Sequence, residues 1–158
     1  YTEDTTENIF LRAVKSKNES KIKQLLSLNI NVNTTDELGK TVLMLAAERR
    51  YNDGVVKLLV NHQEIDANIQ DNEGKTALMH GVSSGFDKNV ELLLQHPGID
   101  VNKRDNEGKT ALMQALAKRN YGIIWMLLAH KEIDVNIKDE DDRSLSKHFP
   151  FQTSSLQY

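Results

Sequence analysis

The phrase Asp-x-x-Gly-Lys-Thr-x-Leu-Met is written three times in this chain, from Asp36, from Asp71 and from Asp105, at intervals of 35 and 34 residues. A period of that length marks a stack of supersecondary units, none of which can bury its apolar face alone. It excludes a single closed core and sets the rule for reading everything else. A residue that recurs at the period is read as structural. A residue that breaks the period is a candidate for function.

Each unit follows one grammar. The Asp-x-x-Gly turn puts Gly39, Gly74 and Gly108 where a left-handed backbone is expected. Thr41, Thr76 and Thr110 follow, placed to cap a helix N-terminus with the hydroxyl. A short apolar run rich in small residues, such as Val42-Leu43-Met44-Leu45-Ala46-Ala47, then predicts a first helix. Second helices are predicted around Val55–Val60, Asn89–Leu94 and Ile123–Leu128. The unit closes on an extended phrase running from His62 to Asn68, from His96 to Asn102 and from His130 to Asn136. Asp36, Asp71, Asp105 and Asp139 are read as turn stabilisers that bond the local backbone. Asn33, Asn68, Asn102 and Asn136 are read as ties across the loops.

This grammar resembles the ankyrin repeat, in the Gly-x-Thr-x-Leu opening, the small pair Ala46-Ala47, the Leu-Leu second helix and the Asp-Val-Asn exit. The resemblance covers residues 8 to 148. It implies an all-α solenoid of stacked helix-turn-helix units joined by extended, β-hairpin-like loops. The expected organisation is an ankyrin repeat domain over 1–149 and a C-terminal tail over 150–158. Within the domain the resemblance implies an N-terminal cap at 5–33, repeats at 36–68, 71–102 and 105–136, and a degenerate cap at 139–149. Asp142 stands where the turn glycine is expected, and Pro150 stops any helix that reaches it.

The chain departs from the family pattern at several points. Val42, Ala77 and Ala111 replace the usual proline after the threonine, and Met44, Met79 and Met113 replace a histidine. The helix starts therefore lose a preorganised residue. The family usually ends the first helix on glycine. Only Gly85 matches, while Arg50 and Arg119 stand at the other two places, where a left-handed arginine costs about 1 kcal/mol. One extra residue between the helices of the first full unit accounts for the interval of 35. Asn89 breaks a position held by Val55 and Ile123, and is expected to form a polar tie or lie at a rim.

Several classes of function are excluded or disfavoured. With 39% hydrophobic and 27% charged residues the chain is folded rather than disordered. A net charge of −3 provides no basic field for nucleic acid or an anionic membrane. There are no cysteines, which removes disulfides and zinc-thiolate sites and suits an intracellular, cytoplasmic or nuclear setting. No apolar run approaches the roughly 20 residues of a membrane span, and no signal-peptide pattern opens the chain. The chain starts at Tyr1 without an initiator methionine and is expected to be a piece of a longer protein.

Candidate chemistry dissolves under the period. His62, His96 and His130 recur one repeat apart, and helix packing distances of about 8–10 Å place them too far from one another to share a metal. No metal or cofactor is expected. The Gly-Lys-Thr triplets resemble the end of a phosphate loop, but Thr34, Ile69 and Lys103 stand where that motif needs its earlier glycine. The turn aspartates have no nucleophile or second acid at short range, so no enzyme activity is expected within the chain. In ankyrin proteins the closing asparagine is a substrate of a hydroxylase that prefers leucine eight residues earlier. The resemblance makes Asn102 and Asn136 candidate hydroxylation sites, after Leu94 and Leu128.

What breaks the period marks the expected surface. Ankyrin domains bind through turn tips and the concave face of the first helices. Carried onto this chain, those positions are Glu37, Leu38, Asn72, Glu73, Asn106 and Glu107 at the tips, with Lys40, Lys75 and Lys109 as a basic row beside them. His80 and Gln114 are expected on the concave side, with Glu48, Arg49, Ser84 and Lys118 at the ends of the first helices. Basic and aromatic residues meet at the inter-helix turns, in Arg49-Arg50-Tyr51, Phe86 and Lys118-Arg119-Asn120-Tyr121, as interface anchors often do. Trp125 stands where Lys57 and Glu91 stand in the other units, and is expected either under an end cap formed by Phe149 or Phe151 or in a convex-side site. The resulting expectation is a module that binds another protein. The alternatives are a nucleotide- or ligand-sensing domain and a targeting domain of an enzyme or microbial effector.

Overall fold

Each first helix begins at a threonine whose hydroxyl oxygen accepts a bond from the backbone amide three residues on. Thr5 accepts from Asn8, Thr41 from Met44, Thr76 from Met79 and Thr110 from Met113, at 3.2 to 3.3 Å. Such a cap satisfies an amide that the helix leaves unpaired. The structure is a computed structural model and describes residues 4–144. Within them lie four helix pairs: α1 (Thr6–Lys15) with α2 (Glu19–Leu26), α3 (Val42–Ala47) with α4 (Asp53–Val60), α5 (Ala77–Ser84) with α6 (Asp87–Leu94), and α7 (Ala111–Lys118) with α8 (Tyr121–Leu128). The first helices pack on one another in sequence, as do the second helices, so two helical layers run along the stack.

The Leu-Met of the repeated phrase is the core between the layers. Leu43, Met44, Leu78, Met79, Leu112 and Met113 are all essentially buried, as are Leu59, Leu93 and Leu127 of the second helices. Methionine fits the position because its flexible thioether fills an apolar gap and needs no polar partner. Ala46, Ala47, Gly81 and Ala115 let neighbouring helices close on one another; a Cβ at Gly81 would already stand 3.3 Å from Val90.

The loops are held by side chains rather than by strands. Among the described residues no strand forms, and the one isolated antiparallel bridge joins Thr35 and Thr41. The hairpin character expected of these loops is thus reduced to two backbone bonds per turn, at 2.9 to 3.0 Å: the Asp36, Asp71, Asp105 and Asp139 amides donate to the carbonyl four residues on, and the Gly39, Gly74, Gly108 and Asp142 amides donate back to the aspartate carbonyls. Gly74 adopts φ 76°, and a Cβ there would stand 2.7 Å from the Asn106 amide nitrogen, so both conformation and clearance require glycine. Asp142, which takes the glycine place in the last turn, is left-handed as well, at φ 60°.

A second set of left-handed residues sits between the helices of each pair, at Lys17, Tyr51, Gly85 and Arg119. The expectation for Arg119 holds. That for Arg50 is corrected: the extra residue shortens α3 to six residues and moves the left-handed place to Tyr51, in register with the other three. Two buried asparagines bond the carbonyls at the end of this short helix. Asn52 Nδ2 donates to the Ala46 carbonyl at 3.0 Å, and Asn89 Nδ2 donates to those of Ala47 and Arg49 at 3.0 and 3.1 Å. Asn89 is therefore the polar tie of the two roles expected for it, and it reaches back from α6 into the preceding unit. Restoring the apolar residue of the other units, by Asn89→Val, should destabilise the chain by about 1–3 kcal/mol, because buried carbonyls lose their donor. Urea unfolding tests this, and a variant as stable as the parent would contradict the assignment.

Candidate partner-binding surface

The turn aspartates organise the tips. Asp71 Oδ1 accepts from the Glu73 and Lys75 amides at 2.9 Å, and Asp36, Asp105 and Asp139 repeat the pattern. Successive tips are then sewn together: the Asn72 amide donates to the Leu38 carbonyl and the Asn106 amide to that of Glu73, both at 3.0 Å. The side chains of Asn72 and Asn106 do the same, donating to the carbonyls of Glu37 and Asn72. Of the expected tip contacts, these two asparagines bond the neighbouring tip and are exposed all the same, as are Glu37, Leu38, Glu73 and Glu107.

The row of lysines is neutralised. Lys40 pairs with Glu48 at 3.0 Å, and Lys75 and Lys109 pair with Glu73 and Glu107 at 2.7 Å. The hydrogen bond to each glutamate raises the Lys75 and Lys109 ammonium groups above 10.5, and the Lys109 bond holds the Glu107 carboxyl below 4.5.

His80 is a correction. Expected as a concave contact, it is only 8% exposed, with Nε2 2.7 Å from Asp71 Oδ2 and Nδ1 3.6 Å from Glu48 Oε2. The ring occupies the position nine residues after the turn aspartate, where a donor can reach that residue's second oxygen. Gln114 does so in the next unit, with Nε2 3.3 Å from Asp105 Oδ2, and Leu45 cannot. The Gln114 Oε1 is buried without a hydrogen-bond partner among the described residues. Gln114 is half-buried and lines a small concave hollow of about 280 Å³ with Ser83, Lys118 and Arg143.

The inter-helix edge differs. The Arg49 guanidinium donates to the Lys15 carbonyl, and Lys17 Nζ donates to that of Arg50 at 2.6 Å. Arg50 stands beside two rings, 5.8 Å from the Tyr51 centroid and 5.6 Å from that of Phe86. Tyr51 is 85% exposed, Phe86 and Ser84 are half-buried, and Lys118 and Arg119 are exposed. The sequence groups Arg49 with Tyr51 as an anchor; Arg50 is the residue that stacks. A groove of about 780 Å³ along α1, lined in part by Asn8, Arg12, Lys15 and Leu38, went unnoticed in the sequence because this unit was read only as a cap.

The remaining candidates are placed as follows. His62, His96 and His130 each accept, through Nδ1, the backbone amide two residues on, at 3.1 to 3.2 Å. Among the described residues no group of three potential metal ligands gathers. The Asn102 amide is engaged on both sides, donating to the Glu132 carbonyl at 2.7 Å and accepting from the Asp134 amide at 2.8 Å, whereas Asn136 is exposed. Trp125 is 70% exposed, and its expected covers Phe149 and Phe151 lie outside the described residues.

Helix pairs of this length, closed by Asp-x-x-Gly turns and stacked through asparagine ties, define a helical repeat protein. The chain belongs to the ankyrin repeat family: a family model described as ankyrin repeats (3 copies) matches residues 10–105, and one described as ankyrin repeats (many copies) matches residues 84–128.

The Asp71 site has a pH signature. Burial pushes its carboxyl up, but the Lys75 amide, the His80 ring and the Glu73 amide outweigh this and hold it below the ordinary 3.8. A depressed carboxyl stabilises the fold above its ordinary value, and that contribution is lost as pH falls through the lowered one. Asp71→Asn should therefore be less stable at pH 7 by about 1–3 kcal/mol, and should lose less stability than the parent between pH 5 and pH 2. Urea midpoints across that range test both, and parallel pH profiles for the two proteins would contradict the role given to Asp71.

Proposed function

We propose that this chain is a protein-recognition module whose anchors are the basic and aromatic residues of the inter-helix edge. Ankyrin repeats are generally protein–protein interaction modules and are typically non-catalytic. Residues 1–149 are taken as one ankyrin domain and 150–158 as a tail. The observation that carries the reading is Tyr51. A left-handed tyrosine is strained, and at 85% exposure it recovers little of that by burial. Its ring is instead presented to solvent beside the Arg50 guanidinium, which also lies by Phe86. Arg119 repeats the strained conformation two units on, with Lys118 before it. Arginine flanked by aromatic rings is a common core of protein interfaces.

Leu38, Glu37, Glu73 and Glu107 at the tips, and Glu48, Lys118 and Gln114 on the concave side, form the rest of the surface in this reading. His80 is left out as a buried support. A nucleotide-sensing role finds less support, since Lys40, Lys75 and Lys109 already carry glutamate partners. No helix among the described residues is long and apolar enough to cross a membrane.

Replacing Arg50, Tyr51 and Arg119 together by alanine should weaken capture of the natural protein partner at least tenfold while leaving the helical circular dichroism unchanged. The measurement is quantitative retention of cellular proteins on the immobilised chain, followed by titration of the protein most depleted by the variant. Lys57→Ala on a second helix is the control. Equal affinity of parent and triple variant would remove the edge from the site. Arg119→Gly alone should stabilise the fold by about 1 kcal/mol yet weaken binding, because glycine relieves the left-handed strain and removes the guanidinium.

A further inference from the structure

Charge is divided unevenly between the two edges of the stack. At the tips Lys40, Lys75 and Lys109 each carry a glutamate partner. At the inter-helix turns stand six exposed cations, Lys15, Lys17, Arg49, Arg50, Lys118 and Arg119. None of the six forms an ion pair with a carboxylate among the described residues. They gather there although the whole chain carries a net charge of −3. Two of them are held by neutral groups: the Arg49 guanidinium donates to the Lys15 carbonyl, and Lys17 Nζ donates to that of Arg50. A carbonyl fixes a cation in place without cancelling its charge. Cations held this way are preorganised for an incoming anion.

Lys15 and Arg49 open on a hollow of about 490 Å³, whose other walls are Leu45, Glu48 and Ser84. Glu48 is engaged by Lys40 at 3.0 Å, so it leaves these two cations uncompensated. A carboxylate entering the hollow meets two positive charges and a hydroxyl, and its apolar stem rests against Leu45.

The cations fall into two groups. Four belong to the first two inter-helix turns, and Lys118 and Arg119 belong to the fourth. The third turn, Ser83-Ser84-Gly85-Phe86, carries none, and Lys88 beyond it pairs with Glu91 at 3.0 Å. Two packed units separate Arg50 from Arg119, roughly 16–20 Å at about 8–10 Å per unit. Five or six extended residues cover that span at about 3.3–3.6 Å each. Phe86 lies midway, and Tyr51 and Tyr121, 85% and 58% exposed, stand at the two ends. A nucleic acid fits this pattern less well. Its phosphates repeat uniformly, and would have to pass an uncharged turn and the exposed Asp53 and Asp87.

We infer that the inter-helix edge receives an extended acidic peptide, with carboxylates in two clusters about five or six residues apart and an apolar or aromatic residue between them over Phe86. This rests on the edge being a protein-binding surface, and it names the chemistry of what binds there.

The test offers the immobilised chain a display library of random dodecapeptides at about 50 mM salt, where surface charge is weakly screened. Retained peptides should carry about twice the aspartate and glutamate of the library, or more. The tightest, resynthesised, should weaken about tenfold when salt is raised to about 500 mM, and about tenfold on Lys15→Glu with Lys118→Glu. Neither of those side chains makes a hydrogen bond or ion pair among the described residues, so circular dichroism should stay unchanged. Lys23→Glu with Lys57→Glu, the same change of charge on the second helices, should leave the affinity within about twofold. Retained peptides no more acidic than the library, or affinities that fall equally in both double variants, would overturn the inference. So would tighter binding of an oligothymidylate of about twenty nucleotides that displaces the peptides, which would make the edge a nucleic-acid site. The protein-recognition reading has a separate marker, the loss of partner capture when Arg50, Tyr51 and Arg119 become alanine. That loss without acidic enrichment would leave the reading standing and remove the acidic partner alone, whereas unchanged capture would remove both.

Discussion

One carboxylate oxygen per unit carries this architecture. Oδ1 of the turn aspartate accepts two backbone amides, two and four residues on, and so closes a tight loop that no strand supports. The closed loop forces the left-handed residue before the lysine, delivers the threonine to its cap, and aims the next tip at the carbonyl of the last. Because Leu-Met follows that threonine directly, the same turn sets which side chains enter the core. The apolar layers provide most of the free energy of such a stack, but they carry no information about register. Register comes from the polar turn.

Asparagine supplies the second constraint at the opposite side of each unit. Asn33, Asn68 and Asn102 each donate to a carbonyl of the next loop and accept an amide from it, at 2.7 to 2.9 Å. The two rails hold even where the sequence is irregular. The extra residue before Tyr51 shortens α3, and Asn52 of the same unit and Asn89 of the next bond the carbonyls at its end. The irregularity is thus confined to the inter-helix edge, where Arg50 lies beside Tyr51 and Phe86. The most distinctive surface of the molecule arises at the point where the repeat is broken.

Much of this was legible in the sequence. The aspartate, glycine, threonine and histidine roles are bonds to residues two to four positions away, and the asparagine ties recur with the period, so a single chain displays them. The ion pairing of the lysine row was not legible, because a periodic cation does not show that a glutamate two or eight residues away neutralises it. His80 was misplaced for a similar reason. Its partners are Asp71, nine residues back, and Glu48 of the preceding unit, so its orientation depends on stacking geometry. The left-handed place was assigned to Arg50 because the composition of the turn does not say which side of the insertion the helix gives up.

The claim that the turn carboxylate sets the register between units can be tested by hydrogen exchange on Asp105→Ala. Glu107 and Lys109 lose their acceptor directly and must exchange faster. If the oxygen also aligns the stack, protection should fall at Asn106, which bonds Glu73, and at Glu140, which bonds Glu107, although neither amide touches Asp105. Faster exchange confined to Glu107 and Lys109, with Asn106 and Glu140 as protected as in the parent, would contradict the account.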